Sequence, residues 1–320
     1  MADEYHRPVL LDEVIEGLEL KQGGVYVDAT VGGGGHSRAI ADLIGPSGVV
    51  IGIDRDSEAL VEAVSTLSGA SAQFLTFCGA FDQIEEALIK SGFSGADGIL
   101  YDLGVSSHQL DDPSRGFTFR DSDAPLDMRM SQSEETPTAS DLLNHSTVEE
   151  MTTIFRDFAD EKWGARIALF IDERRKTAPY VTAGQLIDTV KAAIPSAARS
   201  KDIHPATRTF QALRIAVNDE FGRLHRSLDA AVRSLRPDGR ILVISYHSGE
   251  DRIAKQTFAE FSGKCVCAPT EPVCKCRASR PLIELVTKKP IVPTSQEVND
   301  NPRARSAKLR IVRRLRDLDE

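Results

Sequence analysis

The stretch from Val25 to Arg38, V-Y-V-D-A-T-V-G-G-G-G-H-S-R, restricts the possible folds of this chain more than any other. A β-forming run, Val25 to Val27, ends in Asp28, and four consecutive glycines follow at Gly32 to Gly35. After His36 and Ser37, the apolar residues Ile40, Leu43 and Ile44 recur at helical spacing. That pattern closes at Gly45-Pro46, a glycine suited to a helix C-terminus before a residue that cannot continue the helix. Strand, glycine loop and helix in this order describe the first unit of a nucleotide-binding α/β domain. The glycines permit positive φ and let a ligand approach the backbone with no Cβ in the way.

The spacing of the loop narrows the ligand. A dinucleotide loop, G-x-G-x-x-G, needs a third glycine three residues after the second. Counted from Gly32 and Gly34 that place holds Ser37, and counted from Gly33 and Gly35 it holds Arg38, so the pattern fails in both registers. Asp28, Gly32 and Gly34 do fit acid-x-x-x-G-x-G, which resembles the first motif of class I S-adenosylmethionine-dependent methyltransferases. The apolar run Val49 to Ile53 then ends in Asp54, about twenty residues past the loop, where nucleotide folds place the acid that holds the ribose hydroxyls. The plainer reading of Asp54 is a cap for the helix that starts near Ser57.

Along the chain, residues 5–20 form a lead-in helix with Val9, Leu10, Val14 and Leu18 on its apolar side. Ser57 to Leu67 is an amphipathic helix, Gln73 to Cys78 a third strand, Phe81 to Leu88 a third helix, and Gly98 to Leu103 a fourth strand. Four βα repeats predict a parallel sheet with right-handed crossovers. The next strand is Arg240 to Tyr246, introduced by Pro237-Asp238-Gly239. One crossover needs only a helix and two loops. The surplus predicts an inserted helical domain, with helices at Val148 to Phe158, Trp163 to Arg174 and Thr182 to Ile194. Phe210 to Leu235 reads as one long helix, and Leu282 to Thr287 and Ala307 to Arg314 complete seven strands. The expected organisation is 1–108 and 210–320 for the sheet domain and 109–209 for the insertion.

The composition is that of a soluble protein, with 41% hydrophobic and 27% charged residues. No apolar run of about eighteen residues is present, so no membrane partner is expected. The first residues lack the features of a secretory signal, and the expected location is the cytoplasm. A net charge of −9 argues against a protein that coats nucleic acid indiscriminately. Cations nevertheless cluster at Arg174 to Lys176, at Arg199, Lys201, His204, Arg208 and Arg214, and from Arg303 to Arg316. Three clusters in an acidic chain favour a local polyanion site. Cys265, Cys267, Cys274 and Cys276 form two C-x-C pairs that could give four thiolates to one zinc. The spacing is tighter than C-x-x-C knuckles, and the plainer reading is a proline-stiffened loop of reduced thiols, so no metal is assigned. Nothing in the sequence selects a homodimer over a monomer.

Ligands of open α/β sheets sit beyond the carboxyl ends of the strands. There strand four delivers Asp102, Ser106, His108 and Gln109, and strand five delivers Ser245, His247 and Asp251. The chain at this point resembles the bacterial ribosomal-RNA small-subunit methyltransferase H family (RsmH, also called MraW). The resemblance rests on V-L-L-D-E-V, G-G-G-G-H-S, G-I-D-R-D, D-L-G-V-S-S-x-Q-L-D-D, R-G-F-T-F, P-L-D-M-R-M, H-P-A-T-R-T-F-Q-A-L-R-I-x-V-N, E-D-R and N-P-R-A-R-S-A-K-L-R, in order along nearly the whole chain. It implies an α/β fold of the class I methyltransferase (Rossmann-like) type, a seven-stranded mostly parallel sheet with an inserted all-helical substrate domain. It implies S-adenosylmethionine as cofactor and N4-methylation of one cytidine in the decoding centre of 16S ribosomal RNA, with the small ribosomal subunit as partner. It implies cofactor contacts at Gly34, Gly35, His36, Asp54, Phe81, Asp102 and Gln109. Two positions depart from the family pattern: Gly249 stands where leucine is usual after H-S, and Ala29 where glycine is frequent.

Methylating a pyrimidine at C5 needs a cysteine nucleophile, and none follows strand four or strand five. At N4 the lone pair is delocalised into the ring, so an acceptor must bind the amino N–H groups and a proton must leave. Asp102 or adjacent backbone carbonyls are expected to accept, with His247 the second candidate for orientation or proton removal. Phe117, Phe119 and Trp163 are candidates to stack on the target base, and Arg129, Arg208 and the Arg303–Arg316 run to contact phosphates. Two alternatives stand beside this reading: an NAD(P)-dependent oxidoreductase on a similar fold, and a non-catalytic RNA-binding ribosome assembly factor.

Overall fold

The computed structural model describes residues 8–104, 112–118, 121–131, 136–200, 203–265, 267 and 280–316. The chain divides into two compact units, one of residues 1–104 and 221–320 and the other of residues 105–220. The sequence placed the divisions after residues 108 and 209, and the later one moves because the long helix expected from Phe210 to Leu235 is two helices. Asp219, between them, has a φ of 48°, a left-handed conformation that ends the first helix. An aspartate tolerates this conformation better than a bulky residue.

The first unit carries a seven-stranded sheet, built of β1 (Val25–Asp28), β2 (Val49–Asp54), β3 (Gln73–Cys78), β4 (Ala96–Asp102), β5 (Leu235–Ser245), β6 (Ile283–Leu285) and β7 (Lys308–Arg314). The spatial order is β3-β2-β1-β4-β5-β7-β6. The first five strands in this order run parallel, whereas β7 is antiparallel to both β5 and β6. The chain moves outward from β1 to β3 and then returns to β4 on the other side of β1. That reversal opens a crevice at the carboxyl ends of β1 and β4.

Alternate residues along each strand enter different cores, so the sheet is buried on both faces as parallel sheets require. Val25, Val27, Ile99, Tyr101, Ile241 and Val243 pack with α4 (Ile84–Lys90), α10 (Glu220–Ser234) and α11 (Ser248–Phe261). Tyr26, Leu100, Leu242, Ile244, Leu309 and Ile311 pack with α1 (Leu11–Leu18), α2 (Gly35–Ile44) and α3 (Ser57–Thr66). Near the C-terminal strand lies the short helix α12 (Ser295–Asp300).

The second unit is helical, with α5 (Ala139–His145), α6 (Val148–Ala159), α7 (Gly164–Arg175), α8 (Ala183–Ala193) and α9 (Thr207–Asn218). Their apolar faces share a core that includes Met151, Phe155, Ile171, Leu186 and Leu213. Residues 121–131 are pinned to this unit. Leu126 N–H donates to Val181 (3.1 Å) and Ala183 N–H to Ala124 (2.8 Å). Asn218 closes the segment: its side chain donates to the carbonyls of Met128 and Arg214 and accepts from Met130 N–H, each at 2.8 Å.

Candidate active site

The strand-end acids Asp28, Asp54 and Asp102 terminate β1, β2 and β4. Asp54 is drawn toward the glycine loop: one carboxylate oxygen accepts Gly32 N–H (3.1 Å) and the other Asp56 N–H (2.9 Å). Capping of α3 falls to Asp56, whose carboxylate accepts Glu58 N–H at 3.1 Å. Asp54 is therefore not the helix cap that the plainer sequence reading offered. Burial raises the affinity of Asp54 for its proton, and the amide hydrogen bonds oppose that shift.

The glycines of the loop are not equivalent. Gly32 has a φ of 48°, and a Cβ there would meet nothing within 4 Å. Gly34 has a φ of 84°, and a Cβ there would lie 2.8 Å from Leu67 and 3.1 Å from the Ala63 Cα. At Gly35 a Cβ would lie 2.6 Å from Pro8. Access for a ligand was the expected reason for all of these glycines; at Gly34 and Gly35 close packing is the reason the structure supplies, and Gly32 is the open position.

Asp102 sits in a network that joins four elements. Its backbone N–H donates to Thr30 Oγ1 (2.7 Å), and the hydroxyl of Tyr246, just past β5, donates to its Oδ1 (2.7 Å). Its Oδ2 lies 3.7 Å from His36 Nδ1, and the other nitrogen of His36 lies 3.0 Å from the Val9 carbonyl. Burial pushes the Asp102 carboxyl up to about 7; the Tyr246 hydrogen bond lowers it and the charge of Glu250 raises it. Burial likewise raises Asp28 and lowers His36, so the imidazole is held neutral. Asp28 accepts from Ser37 Oγ at 2.7 Å and from Thr30 N–H at 3.3 Å. Thr30 thus ties the ends of β1 and β4 together.

Phe81 is half-buried beside β4, edge-on to Tyr101 with ring centroids 6.3 Å apart. Its carbonyl accepts from Ser227 Oγ, which also contacts the Tyr101 hydroxyl (2.7 Å). Next to it Asp82 pairs with Arg223 and Arg226, each at 3.1 Å. Ser106, His108, Gln109 and Phe119 lie outside the described residues.

His247 caps α11. Its Nδ1 accepts Glu250 N–H (3.4 Å), its Nε2 lies 3.0 Å from Glu250 Oε1, and its ring stands 5.6 Å from that of Phe221. Glu250 in turn accepts Tyr246 N–H at 2.8 Å. Two other strand-five candidates face elsewhere, since Ser245 Oγ donates to Lys308 (3.5 Å) and Asp251 pairs with Arg310 (2.7 Å). Tyr246 and Thr30 were not singled out from the sequence, although each adjoins a residue or motif that was.

The expected phosphate contacts are partly engaged within the protein. Arg129 is bidentate on Asp127, Arg208 donates to the Asp160 carbonyl (2.9 Å), Arg313 pairs with Glu284 (2.8 Å), and Arg314 is buried with its guanidinium on the Val232 carbonyl. Arg303 and Arg305 are exposed. Phe117 and Trp163 belong to the core of the helical unit or pack against it, the plainer of their two sequence readings. Cys274 and Cys276 lie outside the described residues, and among the described residues no group of three or more His, Cys, Asp or Glu side chains could hold a metal.

A sheet of this order with an antiparallel β7, a glycine loop after β1 and acids ending β1, β2 and β4 defines an α/β methyltransferase of class I, Rossmann-like type. The chain belongs to the MraW methylase family, whose model matches residues 3–315. It is 50% identical over 313 residues to a protein of Heliobacterium modesticaldum, covering 98% of this chain and 99% of that one. It is 47% identical over 316 residues to a protein of Symbiobacterium thermophilum, covering 99% and 98%. Both relatives are named Ribosomal RNA small subunit methyltransferase H. The enzyme depends on S-adenosylmethionine, which sets aside the oxidoreductase alternative. The residues present fit that cofactor: Gly32 leaves open space beside the strand ends, and the partly exposed carboxyls of Asp54 and Asp102 are fixed by backbone and hydroxyl donors.

Proposed function

We propose that this protein methylates N4 of a cytidine in the decoding centre of 16S ribosomal RNA within the small subunit. The observation that carries the reading is Asp102, a carboxyl at the carboxyl end of β4 with one oxygen held by Tyr246. It stands in a chain 47–50% identical over nearly its full length to proteins named as small-subunit ribosomal RNA methyltransferases. In the proposal Gly34, Gly35, His36, Asp54, Phe81 and Gln109 hold the cofactor together with Asp102, and Asp54 receives the ribose hydroxyls. S-adenosylmethionine supplies an electrophilic methyl group carried on a sulfonium.

The protein's task is then to make the amino nitrogen nucleophilic. Asp102 accepts one N–H, which draws the lone pair out of conjugation with the ring, and the methylated nitrogen releases one proton toward the same carboxylate. A carboxyl with a value near 7 can exchange a proton at neutral pH. His247 acts at one remove, capping the helix whose Glu250 fixes the Tyr246 backbone. The absence of cysteine after β4 and β5 in the sequence suits an amine acceptor rather than ring carbon. The helical unit is assigned recognition of the RNA, with the base single-stranded or flipped out. The proposed ribosomal RNA substrate implies a cytoplasmic reaction. Among the described residues no helix is long and apolar enough to cross a membrane.

The test is incubation with methyl-labelled S-adenosylmethionine and undermethylated small subunits, followed by nucleoside analysis. N4-methylcytidine that disappears with Asp54→Ala is the expected result. Labelled product of another kind, or cofactor binding with no label in RNA, would overturn the substrate assignment, and the latter would favour the assembly-factor alternative.

A further inference from the structure

We propose that Tyr246 is a positioning residue for methyl transfer, its hydroxyl holding Oδ1 of Asp102 so that Oδ2 is left to receive the amino group. The proposal rests on the reading of Asp102 given above. Tyr246 is itself fixed at both ends. Its N–H is held by Glu250 (2.8 Å) and its hydroxyl donates to Asp102 (2.7 Å). Gly104, with a φ of 113°, runs beside the ring, where a Cβ would lie 3.8 Å from it. The Asp102 backbone is anchored independently by Thr30. The Asp102 main chain is thus held from the end of β1, and one oxygen of its carboxylate from the end of β5.

The second oxygen is kept available by the tautomer of His36. With Nε2–H donating to the Val9 carbonyl, the neutral ring turns a lone pair, not a donor, toward Asp102 Oδ2 at 3.7 Å. Other titratable groups around the pair are Asp28 on β1, Glu250 and His247 on α11, and Glu297 near α1, where it accepts Leu10 N–H. Most are acids, and they disfavour a second negative charge. A hydrogen bond from Tyr246 favours the ionised carboxylate and opposes them.

Single-turnover methyl transfer to undermethylated small subunits, at saturating S-adenosylmethionine and across pH 6 to 9, tests this with Tyr246→Phe. The expected result is a rate about tenfold or more lower at pH 7, as for loss of one hydrogen bond to a charged group. The acidic limb of the pH profile should move to higher pH, with partial recovery at pH 9 and cofactor affinity unchanged by calorimetry. An unchanged limb and rate would overturn the proposal, as would weaker cofactor binding with an unchanged saturated rate. Fluorotyrosine at position 246 preserves the ring if Tyr246→Phe does not fold; its more acidic hydroxyl should move the limb downward, and no movement would equally overturn the proposal. Asp102→Asn separates the two levels. If it transfers methyl at the native rate, the reading of Asp102 fails; if it is inactive while Tyr246→Phe is native-like, the Tyr246 assignment alone fails.

Discussion

The carboxylate of Asp54 accepts the backbone N–H of Gly32 at 3.1 Å, so the acid that ends β2 also holds the glycine loop that follows β1. The residue proposed to receive the ribose hydroxyls therefore also holds the loop. Asp54→Ala should weaken S-adenosylmethionine binding more than loss of a ribose contact alone, by ~1.5–3 kcal/mol for each charged hydrogen bond removed. Isothermal titration checks it, and an affinity within twofold of native would contradict the assignment.

Gly32 and Gly34 should separate in their effects. Alanine at either position adopts a left-handed conformation at a cost of ~1–2 kcal/mol. At Gly34 the new methyl also meets Ala63 and Leu67, whereas at Gly32 it meets open space. Gly34→Ala should lower the melting temperature further than Gly32→Ala, and Gly32→Ala should impair cofactor binding at comparatively small cost in stability. Thermal melts paired with binding titrations give the comparison.

The raised value of Asp102 sets a pH dependence of stability. Its folded value of about 7 lies above the ordinary 3.8, so the native state binds this proton more tightly than the unfolded chain. The resulting stabilisation is complete below pH ~4 and is lost as pH rises through about 7. Asp102→Asn carries no such titration, and its melting temperature should fall less than the native protein's between pH 5 and 8. Melts across that range, with parallel slopes for the two proteins, would refute the shift.

Asn218 should be a large single contributor to the helical unit. It is buried, and three backbone groups depend on its amide. Asn218→Ala leaves buried polar groups unpaired at ~1–3 kcal/mol each. Trp163, the chain's one tryptophan, lies in this unit and reports its unfolding by fluorescence in urea. An unchanged midpoint would show that water replaces the amide at no cost.

Gly249 and Phe221 form a complementary pair. A Cβ at position 249 would lie 2.3 Å from the Phe221 ring, so a leucine at this position does not fit beside this phenylalanine. Gly249→Leu should destabilise by ~1–3 kcal/mol through overpacking, and Phe221→Ala in the same chain should relieve part of that. Additive losses in a double-mutant cycle would contradict the pairing.

Most strands were legible in the sequence because β1, β2, β4 and β5 contain apolar runs closed by a polar residue. Val25 to Asp28 and Val49 to Asp54 are such runs, and they supplied the place of the glycine loop, the acids that end β1 and β2, and the α/β class. The break at Asp219 was hidden, because the apolar stripe continues through it and a left-handed aspartate leaves no mark on periodicity. The sequence also showed that Asp102 and the strand-five residues would converge, but not which of them touch. Side-chain alternation past the end of β5 turns Ser245 toward β7 and Tyr246 toward Asp102. The same three-dimensional pairing takes Arg310 and Arg313 out of the basic run and commits them to Asp251 and Glu284. Local pattern by itself determined the elements and their polar ends, since periodicity and turn chemistry act over a few residues. Tertiary structure decided which oxygen of Asp102 is held, why Gly34 must be glycine and which arginines are engaged, because those depend on contacts between residues far apart in the chain.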